Sequence, residues 1–276
     1  MIRPILSVPR FWGMAFFTAI STLIILNARA QQPQPEPLRV QKVRANIYQV
    51  QGGSGANTGF FIGESEVLVI DAKMTEESAR AMITEIGKLA PHPVRRILLT
   101  HSDRDHVNGL AGFPKNLSII AHEETRRLMD EAFKEDALRS YLPDITFSER
   151  LTLYVDSTRL ELLYFGPAHT CGDAVVYFPA EKVAFVGDLL FIGRDPLIHL
   201  AKNGSSFGLV EVLKAVLRLD ADAFVTGHSD VAGRADMEAL IRSLEEKQAK
   251  VKALADQGKK WRKSRQPAAW SRAAVG

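Results

Sequence analysis

A chain of 276 residues with 46% hydrophobic content is long enough for one sizeable core and a short extension. Its formal charge of +3 comes from Arg3, Arg10 and Arg29, which precede residue 31 with no acid among them, so the remainder holds 32 basic against 32 acidic residues. A balanced charge gives no reason to expect nucleic acid or an anionic surface as partner, and a single cysteine, Cys171, excludes an internal disulfide framework.

Residues 1–30 have the layout of a secretory signal peptide. Arg3 and Arg10 give a positive start, Trp12 to Leu26 is apolar, and Ala28-Arg29-Ala30 offers a small-residue cleavage site. The mature protein is then periplasmic or secreted and free of the membrane. As a helix the apolar stretch reaches roughly 22 Å, short of the ~30 Å hydrocarbon core. An uncleaved N-terminal anchor is the alternative.

Residues 31–37, QQPQPEP, form a Pro/Gln linker unable to pack. Residues 38–258 form the catalytic domain expected below, and 259–276 a basic tail read as a solvated terminus. Within the domain, Val40 to Val50 reads as one strand and Gly52–Gly55 as a turn. Gly59 to Ile62 and Val67 to Ile70 read as a hairpin. Thr75 can cap a helix running to Leu89, with Glu76 and Glu77 in its first turn and Met82, Ile86 and Leu89 at helical spacing. A short buried strand, Arg96 to Leu99, follows. A strand at Ser118–Ile120 and a helix from Glu123 to Phe133 come next. Four strands then run through Leu151–Tyr154, Arg159–Phe165, Ala174–Phe178 and Val183–Val186. A helix from Phe207 to Leu217, a strand at Ala223–Val225 and a long amphipathic helix from Arg234 complete the domain. The pattern predicts an α/β domain of two mixed sheets packed face to face with helices outside.

Chemistry concentrates after the strands. His101, Asp103, Asp105 and His106 follow Leu99 in LLTHSDRDHVNG, His169 follows Phe165, Asp188 follows Val186, and His228 follows Val225. Imidazole and carboxylate hold Zn²⁺ or a similar divalent ion at about 2.0–2.2 Å, and seven such ligands are enough for two metals. A lone His or Asp at a strand end is more often a cap, but four such loops in one chain outweigh that reading. His92, His122 and His199 lack such company and read as structural or surface residues. Cys171, two residues beyond His169, reads as a non-ligand, buried or free near the site. Phe113, Phe147, Phe191 and Phe207 are candidates for an apolar pocket, although core packing explains each equally well.

The motifs LLTHSDRDHVNGL, GPAHTCGDAVVYFP, KVAFVGDLLF and FVTGHSD, with Val69-Ile70-Asp71 on an early strand, resemble the metallo-β-lactamase fold superfamily over roughly 200 residues from Val40 to Leu240. The resemblance implies a four-layer αββα sandwich and two divalent metal ions, zinc foremost. It assigns His101, Asp103 and His169 to the first metal and Asp105, His106 and His228 to the second, with Asp188 bridging. A bridging Asp resembles the hydroxyacylglutathione hydrolases, lactonases and phosphodiesterases of the superfamily more than its β-lactamases.

One position departs from the family pattern HxHxDH, because Asp103 stands where a second histidine is usual. Two divalent ions, three carboxylates and a bridging hydroxide sum to zero charge, where the all-histidine version sums to +1. A harder site of that kind accepts Mn²⁺ or Fe²⁺ more readily than imidazole would. The reading is a metal-dependent hydrolase of a small-molecule ester, lactone or thioester that attacks with the bridging hydroxide, Asp105 relaying the proton. Alternatives are a phosphodiesterase or β-lactamase of the same fold, or a non-catalytic exported metal-binding protein.

Overall fold

The computed structural model describes residues 36–133 and 137–258. The leader, most of the linker and the basic tail expected from the sequence lie outside the described residues. The described residues from Pro37 onward form one unit, and no helix among them is long and apolar enough to cross a membrane.

The first sheet has strand order β1-β2-β3-β4-β5-β6-β7. Strands β1 (Arg39–Arg44) and β2 (Ile47–Gln51) replace the single strand expected from Val40 to Val50. The chain reverses at Ala45, which takes φ 44°. Alanine rarely adopts that conformation, and its turn partner Asn46 stands alone with no glycine or proline beside it, so the sequence reads as one strand there. β3 (Thr58–Ile62) and β4 (Val67–Ile70) form the expected hairpin. Parallel pairing then adds β5 (Val94–Leu98), β6 (Ser118–His122) and β7 (Ile145–Phe147). β7 has too few residues to show a period and was not anticipated.

The second sheet has order β12-β11-β10-β9-β8, with β8 (Arg150–Val155), β9 (Thr158–Tyr164), β10 (Ala174–Phe178), β11 (Val183–Gly187) and β12 (Ala223–Thr226). β11 and β12 are parallel and the other neighbours antiparallel. Helix α1 (Glu76–Leu89) starts where expected, with the Thr75 side chain accepting a hydrogen bond from Ser78 N. The others are α2 (Arg104–Val107), α3 (Glu123–Ala132), α4 (Ser206–Leu217) and α5 (Arg234–Asp256).

Strand alternation explains the layering. On β4, Val67 and Val69 face the helix-side core with Met82 and Ile86 of α1, while Leu68 and Ile70 face the second sheet. On β11, Val183 and Phe185 face the first sheet, while Ala184 and Val186 pack with Leu209 and Leu213 of α4 and Met237 of α5. Side chains of period two thus build three apolar layers between four structural ones, the expected αββα sandwich. The sheets approach closely at Gly59, where any side chain would overlap the Phe185 ring. β9, β11 and β12 run in one direction, as do β4 and β5. The loops leaving these strands carry every candidate ligand.

Candidate metal centre

The seven residues expected from the sequence come together. His101, Asp103 and His169 form one group, Asp105, His106 and His228 a second, and His101, His106 and Asp188 a third, the ligand atoms of each lying within 4.8 Å of one another. Asp188 sits between the first two groups. Its Oδ1 is 3.2 Å from His106 Nε2, and its Oδ2 is 3.3 Å from His228 Nε2 and 3.9 Å from His169 Nε2.

Backbone contacts between loops fix this geometry. Ala56 N donates to Asp105 O, Ala72 N to His106 O, Ala174 N to Thr100 O, and Gly227 N to Gly187 O. Gly227 must be glycine, because a side chain there would collide with Asp188 Oδ1.

A hydrogen-bond chain sets the histidine tautomers. Buried Asp71 can only accept as a carboxylate, so Thr100 N donates to its Oδ1 and Thr100 Oγ1 to its Oδ2, each at 2.8 Å. His106 Nδ1, 2.8 Å from Oδ2, is therefore a donor. Thr100 Oγ1, having given its proton to Asp71, accepts from His101 Nδ1 at 3.0 Å. His169 Nδ1 donates to Leu197 O at 2.6 Å. In the neutral rings, all three Nε2 atoms then point a lone pair at the cluster, as metal-binding imidazoles require.

The buried atoms His101 Nε2, His106 Nε2 and Asp188 Oδ1 have no hydrogen-bond partner. Orphaned polar atoms of this kind are costly unless something else satisfies them, and three converging donors fit a divalent cation. Electrostatics agree. Burial disfavours charge on His106, yet Asp188 and Asp71 outweigh it and raise its pKa well above the ordinary imidazole value. His228 is raised to about 9, Asp105 and Asp188 again outweighing burial. Burial and the neighbouring His106 instead push His101 well below the usual value. The carboxylates thus draw positive charge into the site, where protons and a divalent cation compete.

Asp71→Asn tests this wiring. The isosteric amide presents a donor where His106 Nδ1 now finds an acceptor, and asparagine tolerates the φ of 63° at this position. Metal affinity is expected to fall about 10–100-fold, as for other partners that orient metal-binding imidazoles, with the fold retained. Competition with a chelating dye measures it; unchanged affinity would remove Asp71 from the wiring.

Two residues at the site escaped the sequence. His199, expected to be structural or superficial, has its Nε2 2.8 Å from Asp103 Oδ2, and its ring stands edge-on to His169. Lys202 Nζ lies 2.6 Å from Asp103 Oδ1. Both belong to an irregular turn carrying no motif. His122 is structural as expected, with Nδ1 accepting from Glu124 N at the start of α3. Cys171 is buried with its thiol beside Glu124 and Arg127, and it belongs to none of the three ligand groups. The four phenylalanines do not gather into a pocket. Phe113 and Phe147 lie in separate cores and Phe207 is exposed, while Phe191 stacks on His228 at 5.5 Å.

The family model for the metallo-beta-lactamase superfamily matches residues 52–228, from the loop before β3 to the last histidine of the cluster. The chain belongs to this superfamily. The 2,4-dinitroanisole O-demethylase subunit alpha of Nocardioides sp. (strain JS1661) is 28% identical over 205 residues, 73% of this chain and 61% of that protein. The chain therefore spans about three fifths of that relative's length. Metallo-beta-lactamase type 2 of Elizabethkingia meningoseptica is 27% identical over 175 residues, covering 61% of this chain and 68% of the relative. Among solved structures, a metallo-beta-lactamase from Pontibacter korlensis superposes with a TM-score of 0.65 at 21% identity, covering 75% of this chain and 99% of that one. The shared superfamily fold is the αββα sandwich described above, and the relatives named are enzymes.

Proposed function

We propose that the chain is an exported dinuclear metallohydrolase acting on a carboxylic ester, lactone or thioester. The observation that carries the reading is the convergence of seven ligand side chains with three buried, partnerless atoms aimed at one centre. His101, Asp103 and His169 would hold one ion, Asp105, His106 and His228 the other, with Asp188 between them. Zinc suits this mixture of imidazole and carboxylate, and Mn²⁺ or Fe²⁺ suit its oxygen-rich half. When bound, such ions supply Lewis acidity and an activated water.

The chain's own groups do the rest. Asp105 Oδ2 lies 3.1 Å from His228 Nε2, on the more exposed side of the cluster. Burial works to raise its pKa, but His228 and His106 outweigh burial and lower it. Asp105 is thus an ionised acceptor able to take a proton from the attacking water and deliver it to the leaving group. Phe191, buried and stacked on His228, backs that histidine, and the exposed Arg194 guanidinium 4.2 Å from its ring centre gives the substrate a cationic neighbour.

The likeness to the 2,4-dinitroanisole O-demethylase subunit supports a second reading, cleavage of an activated aryl methyl ether. Zinc- and manganese-loaded protein assayed on chromogenic ester, lactone, thioester, phosphodiester and β-lactam substrates and on 2,4-dinitroanisole decides between them. Turnover of the first three supports the proposal, and turnover of the ether alone replaces it. Full metal occupancy without turnover refutes hydrolysis in favour of metal binding. Export rests on the leader pattern at 1–30; mass spectrometry of the mature protein should find its N-terminus near Gln31.

A further inference from the structure

We infer that Lys202 is a built-in counter-charge for Asp103, so that the pair presents the first metal position with the charge of a neutral histidine. The inference rests on the proposed metal centre and concerns the residue by which this chain departs from HxHxDH.

Asp103 divides its carboxylate. Oδ2 faces the histidines, 3.1 Å from His169 Nε2, 2.8 Å from His199 Nε2 and 3.9 Å from His101 Nε2. Oδ1 turns away and takes a hydrogen bond from Lys202 Nζ at 2.6 Å. The ammonium has three donors, and the other two go to Ser102 O at 3.1 Å and Ser102 Oγ at 3.2 Å. All three donors of Lys202 are thus spent on residues 102 and 103, which fixes the carboxylate rotamer and leaves one oxygen for a metal.

The lysine is not a chance visitor from solvent. Its turn is tied to the His169 loop: His199 N donates to His169 O at 2.9 Å, Cys171 N to Lys202 O at 2.9 Å, and Ser205 N to Ala168 O at 2.7 Å. The Asn203 backbone at φ 53° lets the chain turn back, and Gly204 passes so close to His169 O that a side chain would collide. The Lys202 side chain is 28% exposed and that of Asp103 12%, so their attraction is screened less than that of a surface pair.

The charge count changes accordingly. With Asp103 as a third carboxylate the centre would lose one positive charge relative to an all-histidine version. Lys202 returns it at the distal oxygen, where it cannot itself occupy the metal position. An aspartate at 103 is therefore compatible with an active centre without making that centre electrically different from its all-histidine counterpart.

The test measures zinc stoichiometry and affinity by competition with a chelating dye. Wild-type protein should bind two zinc ions; failure to bind zinc would overturn the metal-centre reading, and with it this inference, before any variant is compared. Asp103→His leaves Lys202 as an unpaired cation beside the site and should weaken first-site zinc about 10-fold or more. Adding Lys202→Met should recover most of that loss, because no carboxylate then needs the lysine. A double variant no tighter than Asp103→His alone overturns the inference while leaving the two-zinc reading intact. Should histidine at 103 disturb folding, the isosteric pair Asp103→Asn and Asp103→Asn/Lys202→Met makes the same comparison. There too, recovery supports a counter-charge, and its absence excludes one.

Discussion

Asp188→Ala is expected to lower turnover by about 10³-fold or more and to reduce the bound metal from two ions to one or none. Asp188 is the side chain that both ligand groups share. It lies 3.2 Å from His106 Nε2 and 3.3 Å from His228 Nε2, with His169 Nε2 at 3.9 Å. Burial disfavours its charge, yet His106, His228 and His101 outweigh that cost and hold its pKa well below the usual carboxylate range. It is an anion pulled on from every side. Its removal takes away the carboxylate that both ligand groups share and leaves the buried imidazoles of His101, His106 and His169 in mutual repulsion whenever two are protonated. Gly227, kept free of a side chain by Asp188, would then border a small void. Metal content by elemental analysis and turnover on the best substrate provide the check, with circular dichroism to confirm the fold. Two metals and undiminished turnover in the variant would refute the proposed bridging role.

The largest effect on stability is expected at Lys73, far less conspicuous in the sequence. Its side chain is fully buried, and its ammonium donates to Val50 O at 3.1 Å, Gly52 O at 2.8 Å and Ala56 O at 2.9 Å. Burial lowers its pKa to about 8, so at neutral pH it is still mostly charged and all three donors are in use. Lys73→Met keeps the stem but strips the donors from three carbonyls around a turn that the site depends on. Ala56 N reaches Asp105 O and Asn57 N reaches Gly227 O, so this turn joins both sheets at the metal centre. A loss of about 3 kcal/mol or more is expected, since hydrogen bonds to a charged group are worth about 1.5–3 kcal/mol each. The pH dependence has a definite sign. The folded pKa lies below the unfolded value near 10.5, so the folded state binds this proton less tightly. The lysine's share of stability therefore rises as pH increases from about 8 towards 10.5, and Lys73→Met should lack that component. Urea unfolding of both proteins at neutral pH and at pH 10 measures the two effects. A neutral-pH loss below about 1 kcal/mol would show that water or other donors serve those carbonyls.

Where the chain uses common local chemistry, its reading from sequence holds to within a few residues. Thr75 and the acids after it mark the start of α1, and the short continuous apolar runs Val67–Ile70 and Val183–Val186 mark strands buried on both faces. It fails where a residue acts against its type. Ala45 turns a hairpin at φ 44° beside a single asparagine, Asn46, with no glycine or proline to mark the reversal, and the three residues of β7 are held by pairing with β6 rather than by any pattern of their own. At the site, His101, Asp103, Asp105 and His106 are legible because strand β5 ends just before them and packs four polar groups where a loop needs none. His199 had equal chemistry and no such context.

The sequence by itself pointed to the seven candidate ligands, because each follows a strand and strand ends are set by local pattern, but not to His199 and Lys202 beside them. It determined the α/β class of two mixed sheets with helices outside for the same reason: strand and helix patterns are local properties. Only the tertiary structure decided what Asp103 faces. Lys202 is 99 residues away along the chain and His169 is 66, and no local period encodes such pairings. They arise because parallel strands from two sheets end at one edge of the sandwich, bringing a turn beyond β11 against the loop beyond β5. The sequence shows a carboxylate where an imidazole is usual, and the fold supplies the cation beside it.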